Sequence, residues 1–172
     1  GAPLTVRERS GDPDALQRFL ALEAAGWKGE RGTALASSYD GRRFFVEMAT
    51  AFAAAGRLQL RSLEVGDQVV AMSCELIGGD ALYGFKSAFD ERFRARAPGA
   101  WLLHDTAMAF QRDERLRLFD SCSDGGNAFV DHLLPERREL VSLIAGPRWS
   151  RPLVARAVDA ARRARALRGR PR

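Results

Sequence analysis

From Phe89 to Leu103 the chain reads Phe-Asp-Glu-Arg-Phe-Arg-Ala-Arg-Ala-Pro-Gly-Ala-Trp-Leu-Leu. Arginines at 92, 94 and 96 surround or precede the small residues Ala97, Gly99 and Ala100, and a helical apolar pattern follows. Small side chains let the backbone approach a ligand closely. The first N–H groups of a helix have no partner inside it, and the helix dipole adds positive potential at the same end. Together these features make a cradle for a pyrophosphate, around which Arg92, Arg94 and Arg96 can add mobile positive charge. Pro98 at the first helical position is compatible with the helix but removes one donor from the cradle.

Such a cradle needs a strand before it and a helix behind it, and the periodicities supply both. Asp12-Pro13 reads as an N-cap and first helical residue, opening a helix over 13–25 with Leu16, Phe19 and Leu20 on its apolar face. After the irregular stretch Trp27-Lys28-Gly29 to Gly32-Thr33, Phe44, Phe45, Met48, Phe52 and Ala55 recur at helical spacing over 40–55. The period then becomes two. Strands over 57–65, 68–77 and 81–89, separated by Gly66-Asp67 and Gly78-Gly79, predict an antiparallel meander. With Gly78-Gly79 as a two-residue loop, Ala71, Ser73 and Glu75 share a polar face with Lys86, Gly84 and Leu82. Val70, Met72, Cys74 and Leu76 then meet Tyr83, Phe85 and Phe89 on the other.

A helix from Pro98 to about Arg112, a strand over 116–122, a second over 138–144 and a final helix after Ser150 complete the order ααβββαββα. This is an α/β (α+β) fold with a mostly antiparallel sheet flanked by helices. Trp27, Trp101, Phe44 and Phe52 are expected to pack in its core, and Cys122 to be a small core residue.

With 172 residues, 46% hydrophobic and 28% charged, the chain can build one sizeable core; no apolar run is long enough to span a bilayer. Cys74 and Cys122 have neither metal-ligand nor disulfide spacing, which fits a cytoplasmic setting. Residues 148–172 hold nine arginines and one acid, Asp159, a local +8 within a net charge of +5. This basic tail, 151–172, is set apart from a main domain over 1–150. It reads as a solvated helix end, and nucleic acid is not the expected partner. Only Lys28 and Lys86 are lysines.

Arg94-x-x-Ala97-x-Gly99 resembles the Arg/Gln-x-x-Gly-x-Gly/Ala signature of the GNAT superfamily of acyl-CoA-dependent N-acyltransferases. Phe89, Phe93 and the pair Leu102-Leu103 stand at its usual flanking positions; Ala97 replaces its first glycine. A narrower resemblance is to the GNAT branch associated with bacterial cellulose and other exopolysaccharide biosynthesis. It rests on Trp27-Lys28-Gly29, Gly32-Thr33, Tyr83-x-x-Lys86-x-x-x-Asp90 and Ala97-Pro98-Gly99, over about residues 15–125.

These resemblances imply the GNAT fold, acetyl-CoA or another acyl-CoA as cosubstrate with no metal, and a small-molecule amine as acceptor. They assign cosubstrate binding to Phe89, Arg94, Arg96, Ala97, Pro98, Gly99 and Ala100. Chains of the narrower branch look like two such halves in tandem, so this chain is expected to be the C-terminal half of a longer protein, with a second half or a homodimer as partner.

The chemistry then needs a route for the amine's proton. Glu75, on the polar face of the meander, is the first candidate base, and reads equally as an edge carboxylate in a salt bridge. Asp124 and His132 follow the fifth strand, where the family places acceptor contacts, and read also as loop polar residues. Lys86 is a candidate for steering an anionic substrate or a partner for Asp90. No tyrosine follows Tyr83, so the acid that many family members place after the fifth strand has no counterpart. A non-catalytic GNAT-like domain binding a carbohydrate precursor or a partner domain is the alternative reading.

Overall fold

The meander forms as its alternation predicts. In the computed structural model, which describes residues 2–123, 126–141, 147 and 150–168, β2 (Leu58–Val65), β3 (Gln68–Gly78) and β4 (Ala81–Phe89) pair antiparallel in sequence. Two further strands extend this sheet to the order β1-β2-β3-β4-β5. β1 (Leu4–Glu8) adds antiparallel to β2, with Val6 opposite Leu63, and β5 (Leu118–Asp120) adds parallel to β4. β1 is absent from the order read off the sequence. Leu4 and Val6 are exposed on this edge strand, so it lacks the buried alternation that announces a strand.

Helices cover both faces. α1 (Ala15–Ala25) and α3 (Tyr39–Ala54) bury Phe19, Leu20 and Phe45 against Leu60, Met72 and Cys74 on one side, with the Phe19 and Phe45 rings 5.2 Å apart. Removing each such side chain from water is worth roughly 2 kcal/mol. On the other side α4 (Pro98–Arg112) sets Leu102 against Leu63, Val70 and Ala71. Ser38 caps α3 by accepting a hydrogen bond from the Gly41 N–H at 3.0 Å. Between α1 and α3 lie the single turn α2 (Trp27–Glu30) and a 3-10 turn, Leu35–Ser37.

The register of the β3–β4 hairpin corrects the expected one. Gly78 faces Ala81 across Gly79-Asp80, Ser73 faces Ser87 and Glu75 faces Gly84, while Cys74 faces Lys86. Phe85 is thus the unpaired residue of a bulge, and a bulge adds one residue to one strand and locally breaks the alternation. Lys86 therefore does not share the face of Ser73 and Glu75. It lies with Phe85 on the α1 side, whereas Phe89 joins the α4 side with Leu102.

Residues 1–135 form one compact unit and 136–172 another, which carries α6 (Arg151–Arg168). Residues 138–141 have no regular structure, contrary to the strand expected there; residues 142–144 of that strand lie outside the described residues. Among the described residues no helix is long and apolar enough to cross a membrane.

Candidate active site

β4 and β5 run together for only three residue pairs, Ala81 to Tyr83 against Leu118 to Asp120, and then part. The parting begins at Gly84. A Cβ there would lie 2.9 Å from the Ser121 carbonyl oxygen, so only glycine lets the two backbones cross at this point. Next comes the Phe85 bulge, which re-aims the side chains of β4 at the same place. The result is a groove of about 920 Å³ that runs from the split, past Ser73, Glu75 and Lys86, to the start of α4 at Ala97–Ala100.

At the α4 end the basic segment folds as a 3-10 turn, Glu91–Arg96, closed by Ala97 in the left-handed region at φ 48°. Pro98 has no N–H, and Ala100 and Trp101 both donate to the Ala97 carbonyl. That leaves the Gly99 N–H as the outward donor of this turn. Gly99 also stands 3.8 Å, from its notional Cβ, from the Phe89 ring, which floors the cradle. Arg94 lines the groove and bonds Glu91 at 2.7 Å; Arg92 is turned away onto Asp90; Arg96 is exposed without an ion pair among the described residues.

Ala97 pays a conformational penalty for standing where the related signature has glycine, because a Cβ is unfavourable at positive φ. Ala97→Gly is expected to raise stability by about 1 kcal/mol, read as a higher midpoint in urea unfolding with an unchanged slope.

Deeper in the groove lies Glu75. Its carboxyl is buried, its Oε2 has no hydrogen-bond partner, and it forms no salt bridge among the described residues. Burial pushes its pKa up to about 7, against the pull of the Ser73 hydroxyl and the Arg61 guanidinium and with a further push from Glu8. Arg61 itself is held by Asp105 of α4 at 3.0 Å. Apart from this pull on Glu75, the buried Ser73 Oγ has no hydrogen-bond partner. Two unsatisfied polar atoms on one groove wall are unusual in a folded interior, and a polar ligand entering the groove would satisfy them. A carboxyl poised near neutrality there can take up or release a proton under physiological conditions.

The opposite wall carries a cluster that the sequence did not announce. Glu23 of α1 is fully buried and accepts from Lys86 Nζ at 2.8 Å and from the Leu35 N–H at 2.8 Å, with Lys28 Nζ 3.4 Å away. Lys28 also donates to the Ser87 carbonyl at 2.6 Å, on β4 beyond the split. Burial works against the Glu23 carboxylate, yet Lys86, the Leu35 N–H and Lys28 together hold it below the ordinary range. Burial likewise depresses Lys28, against the attraction of Glu23. The expected pairing of Lys86 with Asp90 does not occur: Asp90 bonds Arg92 and Gln68. The signal for Glu23 was its carboxylate among the apolar residues of the first helix, but its partners lie up to 63 residues away.

The remaining predicted residues separate. His132 is on α5 (Ala128–Leu133), exposed and away from the groove wall, which that segment lines with Asn127, Phe129 and Val130. Asp124 lies outside the described residues. Cys122 is not in the core but exposed at φ 50°, at the groove's edge where β5 has ended. Trp27, Phe44 and Trp101 are likewise 38%, 56% and 59% exposed rather than packed, while Phe52 packs as expected. Among the described residues no group of His, Cys, Asp and Glu could hold a metal ion.

A sheet that splits beside a helix N-terminus, with a phosphate cradle at one end and a titratable carboxyl at the other, suits transfer of a group from a phosphate-bearing donor. Residues 2–129 match the family model described as the acetyltransferase (GNAT) domain, and the chain belongs to that family. No curated protein matches the sequence. Among solved structures it resembles a possible acetyltransferase from Clostridium difficile 630, at 14% identity and TM-score 0.62, covering 84% of this chain and 97% of that one. It also resembles AAC(6')-Iy in complex with a bisubstrate analogue, CoA-S-monomethyl-acetylneamine, at 13% identity and TM-score 0.60, covering 85% and 99%. The aminoglycoside antibiotic 6'-N-acetyltransferase AAC(6')-Ih from Acinetobacter baumannii follows at 14% identity and TM-score 0.57, covering 84% and 99%. The five-strand sheet flanked by helices is the GNAT fold, and the chain is a GNAT-family acetyltransferase.

Proposed function

We propose that the protein transfers the acetyl group of acetyl-CoA to a small-molecule amine by direct attack, with Glu75 as the base. The observation that carries this reading is one continuous groove with the Gly99 N–H and Arg94 at one end and, at the other, the buried Glu75 carboxyl, whose Oε2 has no hydrogen-bond partner. The donor's pyrophosphate sits at Gly99 and Ala100, with Arg94 as the nearby cation, and its chain runs along the groove toward the split.

There the amine nitrogen forms a bond to the thioester carbonyl carbon, the carbon–sulfur bond breaks, and the electron pair leaves with the CoA thiolate. The proton lost by nitrogen passes to Glu75. The thiolate takes its proton from water, since no tyrosine follows Tyr83. Holding donor and acceptor in one groove supplies proximity and orientation, which can lower such a barrier by up to about 7–11 kcal/mol.

Two of the structural relatives are in complex with an aminoglycoside or an analogue built on one, sisomicin and CoA-S-monomethyl-acetylneamine, and aminoglycosides are polycations. Among the described residues the groove wall presents Lys28, Lys86 and Arg94 against one acid, Glu75, which argues for a different amine. The motif Trp27-Lys28-Gly29 and the Lys86-x-x-x-Asp90 spacing support the cellulose and exopolysaccharide branch, hence an amine derived from a carbohydrate precursor.

Calorimetric titration with acetyl-CoA tests the donor site. Arg94→Ala with Gly99→Glu removes a cation and places a carboxylate in the cradle, while the added Cβ at 99 meets only ordinary contact distance. The wild type is expected to bind, and the double variant to bind about 100-fold more weakly. Equal heats for the two proteins, or none for the wild type at millimolar ligand, would remove the cradle from the argument.

A further inference from the structure

The chain contains 25 arginines and two lysines, and both lysines converge on one buried carboxylate. Elsewhere this sequence uses arginine for positive charge. A guanidinium is a broad planar fork, whereas an ammonium is a compact charge with three donors. The Glu23 site is built from the compact form, and with one carboxylate between two ammonium groups it carries a net charge of +1.

Lys86 gives one hydrogen bond to Glu23; Lys28 gives one to Ser87 and approaches Glu23 at the longer distance. Donors remain on both. They also face open space. Lys86 and Lys28 line the main groove, and Lys28 and Glu23 line an adjoining cavity of about 230 Å³ with Gly26, Trp27 and Ser87. Because Gly84 has no side chain and the Phe85 bulge turns Lys86 to the α1 side, Glu75 and the two lysines border the same split from opposite faces of the sheet.

We propose that Lys28 and Lys86, held by Glu23, form a subsite for an oxyanion carried by the acceptor, a phosphate or a carboxylate. The acceptor is then an anionic amine whose nitrogen approaches Glu75 while its oxyanion reaches the lysines through the split. This rests on the acetyltransferase reading for its place in the reaction, but binding of the oxyanion is measurable without the donor.

Because only two lysines exist, selective 13Cε-lysine labelling gives two side-chain signals that report this site alone. The labelled protein is titrated with inorganic phosphate, glucosamine 6-phosphate and muramic acid, and with glucosamine and sodium chloride at matched ionic strength. Both signals are expected to move saturably with at least one of the phosphate or carboxylate probes and not with glucosamine or chloride. The phosphate and carboxylate arms tell the two sources apart.

Lys86→Met combined with Glu23→Gln leaves the site's net charge at +1, on Lys28, and retains an acceptor for the Leu35 N–H. It is expected to weaken the effective probe at least about tenfold, because at unchanged net charge the oxyanion loses the charge-assisted donors of one of the two ammonium groups. Signals that ignore every oxyanion, that follow chloride equally, or that keep full affinity in the double variant overturn the proposal. With acetyl-CoA present, transfer to the anionic amine is expected to exceed transfer to glucosamine by about tenfold or more in kcat/KM. Saturable oxyanion binding without acetyl-CoA binding would leave the subsite standing and remove the enzyme reading. Acetyl transfer with silent lysines would do the reverse.

Discussion

Glu75→Gln is expected to abolish the pH dependence of stability between pH 4.5 and 7 and to slow acetyl transfer by about 100-fold at pH 8. The two effects have one origin. The folded protein holds the Glu75 proton more tightly than the unfolded chain does, with the folded pKa at about 7 and the ordinary glutamate value at 4.5. The stabilisation is therefore fully present below pH 4.5 and is lost as pH rises through 7. For a shift of this size the loss is about 3 kcal/mol.

Glutamine cannot titrate, so the variant's stability should stay level across that window, and urea midpoints measured from pH 4.5 to 8 would show it. In catalysis the same carboxyl must be deprotonated to accept a proton, so wild-type kcat/KM should rise with pH to a plateau above 7. That limb should vanish in the glutamine variant. A variant that keeps the limb near 7 would assign the base elsewhere, and one that keeps the stability slope would show that another group causes it.

Gly29→Ala is expected to lower stability by about 3 kcal/mol, or roughly 10 °C in melting temperature, although it adds one methyl group at a partly exposed turn. A Cβ on Gly29 would fall onto the Ala24 carbonyl oxygen and lie 2.6 Å from its carbon and 3.0 Å from Cα. All three are backbone atoms of α1, so no side chain can rotate away and α2 must move. Lys28 is the neighbouring residue, and its bond to Ser87 and its approach to Glu23 would move with it. Binding at the lysine subsite should fall together with stability. Gly32→Ala is the control: its φ of 66° disfavours alanine, but nothing lies within 4 Å, and about 1 kcal/mol is expected. Equal losses at 29 and 32 in thermal unfolding would show that backbone conformation, not the collision with α1, governs this corner.

What local periodicity could determine, the sequence determined. The helix read over 40–55 is Tyr39–Ala54, the helix from Pro98 to Arg112 is found within the same bounds, and the three-strand meander is present. These elements are amphipathic over several turns or repeats, and each buries its own stripe. The cradle was legible for the same reason, since Arg94 to Ala100 is one continuous segment whose small residues and helix start are adjacent in the chain.

Tertiary structure decided the rest. β1 exists because β2 offers it a free edge, a fact external to Leu4–Glu8. Counting by twos along β4 put Lys86 on the same face as Glu75; one unpaired residue, Phe85, sends it to the other face, because a strand's side-chain period is two and a single extra residue reverses it. Glu23, Lys28 and Lys86 became one site only when α1, α2 and β4 packed together. Such long-range gathering leaves no mark in a local pattern, because the burial that forces a carboxylate and two ammonium groups together is a property of the folded chain.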